Sequence, residues 1–243
     1  AGRYIEYIKR SFPRDQTLTG MKVVVDCANG AAYKIAPQLL WELEADVIAI
    51  GDRPDGRNIN DGFGATATEN LQAKVLSEKA DIGIALDGDA DRLIVIDEKG
   101  NKIDGDQIMA VIAVSKRDQG FLQGGVVATV MSNLGLERFF EREKIAFKRA
   151  PVGDRYVVEE MRRSGFNIGG EQSGHMVLSD FGTTGDGTVA ALQILNVLKS
   201  SNKPASETFN MFTPVPQLLQ NVTYKNQSPL EKNEVLSAIE KAQ

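Results

Sequence analysis

Three aspartates, Asp87, Asp89 and Asp91, stand at alternate positions in IGIALDGDADRLIVID, residues 82 to 97. Side chains two apart on extended backbone share a face, so the carboxylates can converge, and Gly88 and Ala90 let the chain curl closely around an ion. Ionised carboxylates that close repel one another, and a bound divalent cation keeps all three charged at neutral pH. Oxygen-only ligands favour Mg2+, Mn2+ or Ca2+ over zinc, and three single-oxygen contacts leave positions on an octahedral Mg2+ open to phosphate or water.

Three other readings compete. A calcium loop of the EF-hand kind has acids at its first, third, fifth and twelfth positions, and Glu98 supplies the last; but Arg92 stands where glycine is needed, and strands flank the loop. Haloacid dehalogenase-like phosphatases carry two aspartates separated by one residue after an apolar strand. IALDGDA fits them until Asp91 replaces their usual threonine. A solvated acidic turn is the commonest fate of Asp/Gly clusters, but three alternating acids followed at once by an arginine and an apolar strand argue against it.

GGEQSGH, residues 169 to 175, joins flexible backbone to a carboxylate, an amide, a hydroxyl and the chain's one histidine. Such short groups suit sugar hydroxyls, with Glu171 accepting and Ser173 donating or accepting. His175, taken alone, reads as a structural residue. KRAPVGDRYV places Lys148, Arg149 and Arg155 near a strand end, where cations can hold a phosphate or form a solvated rim. DCANGAA reads as a structural turn, and Cys27 within it as a buried small apolar residue. No strand is followed by G-x-G-x-x-G, there is no Walker lysine loop, and one histidine offers no Ser/His/Asp set.

The elements that must position these residues recur. Periodicity predicts strand 21–26, helix 30–44, strand 46–50, helix 68–79, strand 81–86, the aspartate loop, strand 92–97 and a helix from Asp106. The same order returns from Gly125: strand 125–131, helix 135–144, strand 145–151, helix 154–165, strand 166–170, the polar loop 171–175, strand 176–180 and helix 185–200. IALDGDADRLIVID from Ile84 aligns without gaps over NIGGEQSGHMVLSD from Asn167, which puts the aspartate loop and the Glu171 loop in equivalent places. A Gly-Asp pair follows each, Gly105-Asp106 and Gly185-Asp186, with the aspartate suited to a helix N-terminus. The fold expected is α/β: two tandem modules with mixed sheets, each with one antiparallel hairpin and helices on both faces. Beyond about residue 212, a proline-bearing linker ending in one extended segment precedes a helix start at 229–243.

The 243 residues are 42% hydrophobic and carry a net charge of −5, so nothing marks a nucleic-acid or acidic-membrane partner. A single cysteine excludes an internal disulfide and fits a reducing compartment. No apolar run nears the roughly 20 residues of a membrane span.

Taken together, ALDGDADR, VGDRYV, GGEQSGH and TTGDG, with VVVDCANGAA, PDGRNIN and GNKIDGDQIM in support, resemble the α-D-phosphohexomutase family over the whole chain. The resemblance implies four domains around a cleft. Residues 1–103 would be the second, with the metal loop; 104–212 the third, with the sugar loop; and 213–243 a linker and the start of a truncated fourth. It implies Mg2+ on Asp87, Asp89 and Asp91 together with a phosphoserine oxygen, and Arg92 facing the reacting phosphoryl group. Glu171, Ser173 and His175 would belong to the sugar site, with Asp154 and Arg155 lining the cleft.

Gln172, VGDRYV and TTGDG point within the family to the amino sugar, rather than to glucose or mannose phosphates. The implied reaction interconverts glucosamine 6-phosphate and glucosamine 1-phosphate through a bisphosphorylated intermediate in the cytoplasm. The family's phosphoserine loop and its distal phosphate clamp do not occur in this sequence. The expected partners are therefore a sugar phosphate and the first and fourth domains of the parent chain, with no nucleic acid and no membrane; a homodimer is compatible with the resemblance. The chain alone is expected to be inactive.

Overall fold

The structure is a computed structural model, and it describes residues 2–221, 223 and 229–242. An opening helix, α1 (Gly2–Lys9), buries Ile5 and Ile8. So short a helix draws its stability from packing rather than from its own sequence.

The first module then runs β1 (Lys22–Asp26), α2 (Ile35–Glu42), β2 (Asp46–Ile50), α3 (Glu69–Glu78), β3 (Ile82–Leu86), β4 (Leu93–Asp97) and β5 (Lys102–Ile103). Its sheet has the order β2-β1-β3-β4-β5. β1 pairs in parallel with β2 and β3, whereas β4 returns antiparallel beside β3, as its short connection requires. Both β3 and β4 are wholly buried, which explains their unbroken apolar runs.

The second module opens with α4 (Gly105–Asp118) and continues through β6 (Gly125–Thr129), α5 (Leu134–Arg142), β7 (Ala146–Ala150), α6 (Asp154–Ser164), β8 (Ile168–Gly170), β9 (Met176–Leu178) and α7 (Gly187–Ser201). Its sheet, β7-β6-β8-β9, repeats the first four strand positions of the other, with β9 antiparallel to β8. The duplication of the sequence pattern is thus a duplication of topology.

One core runs through both modules. Val23, Ile84 and Val95 belong to the same apolar cluster as Val126, Phe140 and Leu195. The Tyr4 hydroxyl donates to Asp186 Oδ2 at 2.7 Å, so α1 is tied to the cap of α7. A short helix α8 (Ala205–Thr208) returns to the first module, where the Ser206 N–H donates to Glu98 Oε2 at 2.9 Å.

One expectation needs correction. The helix predicted from residue 30 begins at Ile35, because Ala28 and Asn29 take left-handed backbone and Gly30 is packed against Gly88. Both Gly-Asp pairs open helices, as expected, but the two aspartates differ in role. Asp186 caps α7 by accepting from Thr188 and Val189, but α4 is capped by Asp104, and Asp106 accepts from the Asn133 N–H instead.

After Phe212 the chain lies along the second module as far as Gln217, held by two amide side chains. Gln107 Nε2 donates to Phe212 O at 2.7 Å and its Oε1 accepts from the Met211 N–H at 3.0 Å. Asn133 Nδ2 donates to Val215 O at 2.8 Å and its Oδ1 accepts from the Val215 N–H at 2.9 Å. The extended segment expected to end this linker falls largely outside the described residues. A final helix, α9 (Asn233–Ala242), covers most of the predicted helix start. No helix among the described residues is long and apolar enough to cross a membrane.

Candidate active site

The aspartate loop leaves β3 and re-enters β4 through a turn closed by the Ala90 N–H donating to Asp87 O at 3.0 Å. Ala90 sits at φ +63, the left-handed backbone that this tight return requires. A side chain on Gly88 would meet Ile59 Cγ2 at 2.5 Å, and one on Gly30 would meet Gly88 O at 2.3 Å. The Ala31 N–H also donates to Gly88 O at 2.8 Å. The DCANGAA turn is therefore the buttress of the acidic loop; glycine stands at 30 because of this close approach, and at 88 because Ile59 and Asn60 crowd it from another side.

One carboxylate oxygen from each of Asp87, Asp89 and Asp91 lies within 4.8 Å of the others. Asp87 is buried, Asp89 exposed and Asp91 half-buried. Burial raises the pKa of Asp87 above the carboxylate norm, the Arg92 N–H at 3.1 Å works against this, and the charges of Asp91 and Asp89 raise it further. The Arg92 guanidinium supplies the adjacent positive charge, its Nε 3.5 Å from Asp87 Oδ2 and 3.9 Å from Asp91 Oδ1. Three convergent hard oxygens with a guanidinium alongside suit a hard divalent ion such as Mg2+ and a phosphoryl group.

The loop from the second module is bonded directly to this one. Arg92 and His175 form an antiparallel bridge, and the Leu93 N–H donates to Gly174 O at 2.9 Å. His175 is buried, with Nδ1 3.0 Å from Asp91 Oδ2. The Gly187 N–H donates to Ala90 O at 2.9 Å, so the start of α7 braces the acidic loop from the other side.

Glu171 is held in position by its own module. Its Oε1 accepts from the Gly153 N–H at 2.9 Å, and Ser173 Oγ lies 3.3 Å from its Oε2. An open cavity of about 530 Å3 adjoins it, lined by Lys102, Asp104, Thr129, Met131, Val152, Glu171, Gln172 and Ser173. Polar side chains at the ends of parallel strands are the expected setting for a ligand in this fold class. Residue types and spacing did not single out Lys102, Asp104, Thr129 or Met131; the usable signal for the last two was their place at the end of β6.

The basic residues of KRAPVGDRYV divide. Arg149 pairs with Glu137 at 2.9 Å and donates to the carbonyls of Thr129 and Ser132, so it staples the turn after β6. Lys148 pairs with Glu160 at 3.1 Å. Asp154 and Arg155 open α6 one residue beyond the Gly153 that touches Glu171, and Arg155 is exposed and paired with Glu159. Neither of the two lines the cavity. Cys27 is buried and its thiol is pushed up to about 12, by burial first and then by Asp26 and Asp52, in keeping with a packing role.

The fold has known counterparts. The profile "Phosphoglucomutase/phosphomannomutase, alpha/beta/alpha domain II" matches residues 2–100, and the corresponding domain III profile matches residues 104–215. A phosphoglucosamine mutase of Rhizobium rhizogenes is 61% identical over 242 residues, which are 99% of this chain and 54% of that protein. One from Azorhizobium caulinodans is 58% identical with the same coverage. The chain thus spans about half the length of these relatives. Among solved structures, a phosphoglucomutase/phosphomannomutase family protein from Burkholderia thailandensis superposes with a TM-score of 0.73 at 24% identity, over 86% of this chain and 46% of that one. An Aspergillus fumigatus N-acetylphosphoglucosamine mutase, in complex with GlcNAc-6P and magnesium, gives 0.70 at 21% identity, over 87% and 49%. With two successive domain profiles covering both modules in order, the chain belongs to the phosphoglucomutase/phosphomannomutase family.

Proposed function

We propose that this chain is the metal- and sugar-binding centre of a phosphoglucosamine mutase, which interconverts glucosamine 6-phosphate and glucosamine 1-phosphate in the cytoplasm. On this reading residues 1–103 and 104–212 are the second and third domains, 213–243 lead into a fourth, and the phosphoserine and distal phosphate clamp come from the rest of the parent protein. The observation that supports it most is the bonding of the Asp87–Asp91 loop to the Glu171–His175 loop through Arg92, Leu93, Gly174 and His175. A cation site and a sugar site joined by backbone hydrogen bonds keep one spacing, which a phosphoryl transfer between fixed partners demands.

Asp87, Asp89 and Asp91 would hold Mg2+, which when bound neutralises charge on phosphoryl oxygens. Arg92 stabilises the transferring oxygens from the adjacent strand start. Glu171 accepts from sugar hydroxyls, with one oxygen steadied by Gly153, while Ser173 adds a group able to donate or accept. His175 fixes Asp91 at the seam, and Asp154 and Arg155, outside the Glu171 cavity, would line the wider cleft of the parent protein beside Gly153. The sugar must be accepted in two orientations, which short polar groups permit.

The test is an assay of the longer parent protein with glucosamine, glucose and mannose phosphates, beside the chain alone. Preferred turnover of the glucosamine phosphates by the parent, with none by the chain, is expected. Mutase turnover by the purified chain, or a parent that prefers mannose or glucose phosphate, would overturn the reading.

A further inference from the structure

Gly88 stands between Asp87 and Asp89, and the loop ahead of α3 closes on it from outside. Residues 53–62 of that loop are exposed, apart from half-buried Asn58, and form neither helix nor strand. Yet a Cβ on Gly88 would meet Ile59 Cγ2 at 2.5 Å and Asn60 Nδ2 at 3.0 Å. An exposed irregular loop is ordinarily among the more mobile parts of a fold, so its seating against the acidic loop needs a holder.

Asn29 is that holder. It is buried at φ +49, a left-handed backbone that asparagine and glycine adopt more readily than other residues. Its Oδ1 accepts from the Arg53 N–H at 3.1 Å, and its Nδ2 donates to Asn58 O at 3.3 Å. Asn58 closes the loop on itself, with Nδ2 donating to Arg53 O and Oδ1 accepting from the Asp55 N–H, both at 3.0 Å. The two bonds of one amide therefore grip a preformed unit, and Asn58 leads directly into Ile59 and Asn60. On the inner side Gly88 O accepts from the Ala31 N–H at 2.8 Å. Spreading of the acidic loop at Gly88 presses outward on Ile59 and Asn60, and the amide of Asn29 resists it.

We propose that Asn29 is a positioning residue that sets which cation the aspartates prefer: by holding residues 53–60 against Gly88 it keeps Asp87, Asp89 and Asp91 in an arrangement that suits Mg2+ over Ca2+. The proposal rests on reading these three aspartates as a metal site. Mg2+ demands near-ideal octahedral contacts at about 2.0–2.1 Å, whereas Ca2+ accepts about six to eight oxygens at roughly 2.3–2.6 Å in flexible geometry. A loop freed to spread thus loses more affinity for Mg2+ than for Ca2+.

The test is calorimetric titration of the 243-residue chain with MgCl2 and, separately, with CaCl2. Asn29→Gly keeps the left-handed backbone and the N–H bond to Gly51 O, and removes only the amide side chain. It is expected to lower the ratio of Mg2+ to Ca2+ affinity about tenfold, within the usual effect of groups that orient metal ligands. Ile59→Ala trims a half-exposed side chain, leaves both bonds of Asn29 in place, and is expected to shift the ratio the same way by less. Should Asn29→Gly fail to fold, Ile59→Ala decides. A parental ratio, whether from unchanged binding or from equal losses for the two ions, would overturn the proposal and leave the metal site standing. An unmutated chain that binds neither ion would remove the metal reading and the proposal together.

Discussion

His175 Nδ1 lies 3.0 Å from Asp91 Oδ2, so the second module's loop orients a carboxylate of the first. The ring has little room to turn, because a Cβ on Gly185 would fall 2.4 Å from its Cε1 and Nε2. Partners that orient a metal-ligating carboxylate typically matter 10–100-fold to metal affinity. His175→Ala is therefore expected to weaken Mg2+ binding to this chain by about that factor while the far-UV circular dichroism is unchanged. Calorimetry giving the parental affinity would show that Asp91 is oriented without the imidazole.

Asp89 is the exposed member of the cluster and makes no structural hydrogen bond among the described residues. Asp89→Asn removes one charge from the ligand set and nothing from the core, so Mg2+ affinity is expected to fall roughly tenfold or more with the melting temperature unchanged. An unaltered binding isotherm would remove Asp89 from the ligand set.

Much of this arrangement was legible in the residues themselves. The alternation of Asp87, Asp89 and Asp91 after an apolar run predicted a convergent cluster, and the ungapped repeat placed the Glu171 loop in the matching position of the second sheet. The contact between the loops was not legible, since no sequence pattern reports that Arg92 bridges His175. The amide clamps of Gln107 and Asn133 were hidden for the same reason, because their partners lie 105 and 82 residues away along the chain. Asp106 stands in the first turn of α4, as its place after Gly105 suggested, but that Asp104 takes the cap and leaves Asp106 to accept from the Asn133 N–H depends on a contact the sequence does not report.

Gly174 stands at φ +98, and a Cβ there would lie 2.2 Å from Leu93 O, on the strand that leaves the acidic loop. Gly174→Ala must therefore both strain its backbone and push the two loops apart. A destabilisation of about 2–4 kcal/mol in urea unfolding is expected, with weaker Mg2+ binding alongside. Parental stability would mean that the two modules do not approach so closely here.

Asn133 Oδ1 caps α5 through the Gly135 N–H at 2.8 Å and also accepts from Val215, while Nδ2 grips Val215 O. Serine caps helices well but is too short to reach Val215. Asn133→Ser is expected to speed amide exchange at Val215 by about tenfold, given roughly 1 kcal/mol for each bond lost, and to leave exchange within α5 unchanged. Equal protection of Val215 in both proteins would mean that the linker is held by Gln107, by the Gln217 amide on Met131 O and by packing.

Asp106 gives a pH signature of its own. Its carboxyl is pushed up from 3.8 to about 6 by burial, with the Asn133 N–H at 2.7 Å opposing the shift, the charge of Asp104 adding to it and Arg149 reducing it. Its Oδ1 is buried without a hydrogen-bond partner. Between the two pKa values the folded state holds this proton more firmly than the unfolded chain, so the contribution to stability is full below pH 4 and is lost as pH rises through about 6. Asn in its place still accepts from Asn133 and has no charge to bury. Asp106→Asn is therefore expected to unfold at higher urea than the parent at pH 7.5, by the order of 1–3 kcal/mol, with the gap narrowing toward pH 4. A gap of constant size across that range would mean that Asp106 is ionised in both states and that burial does not govern its charge.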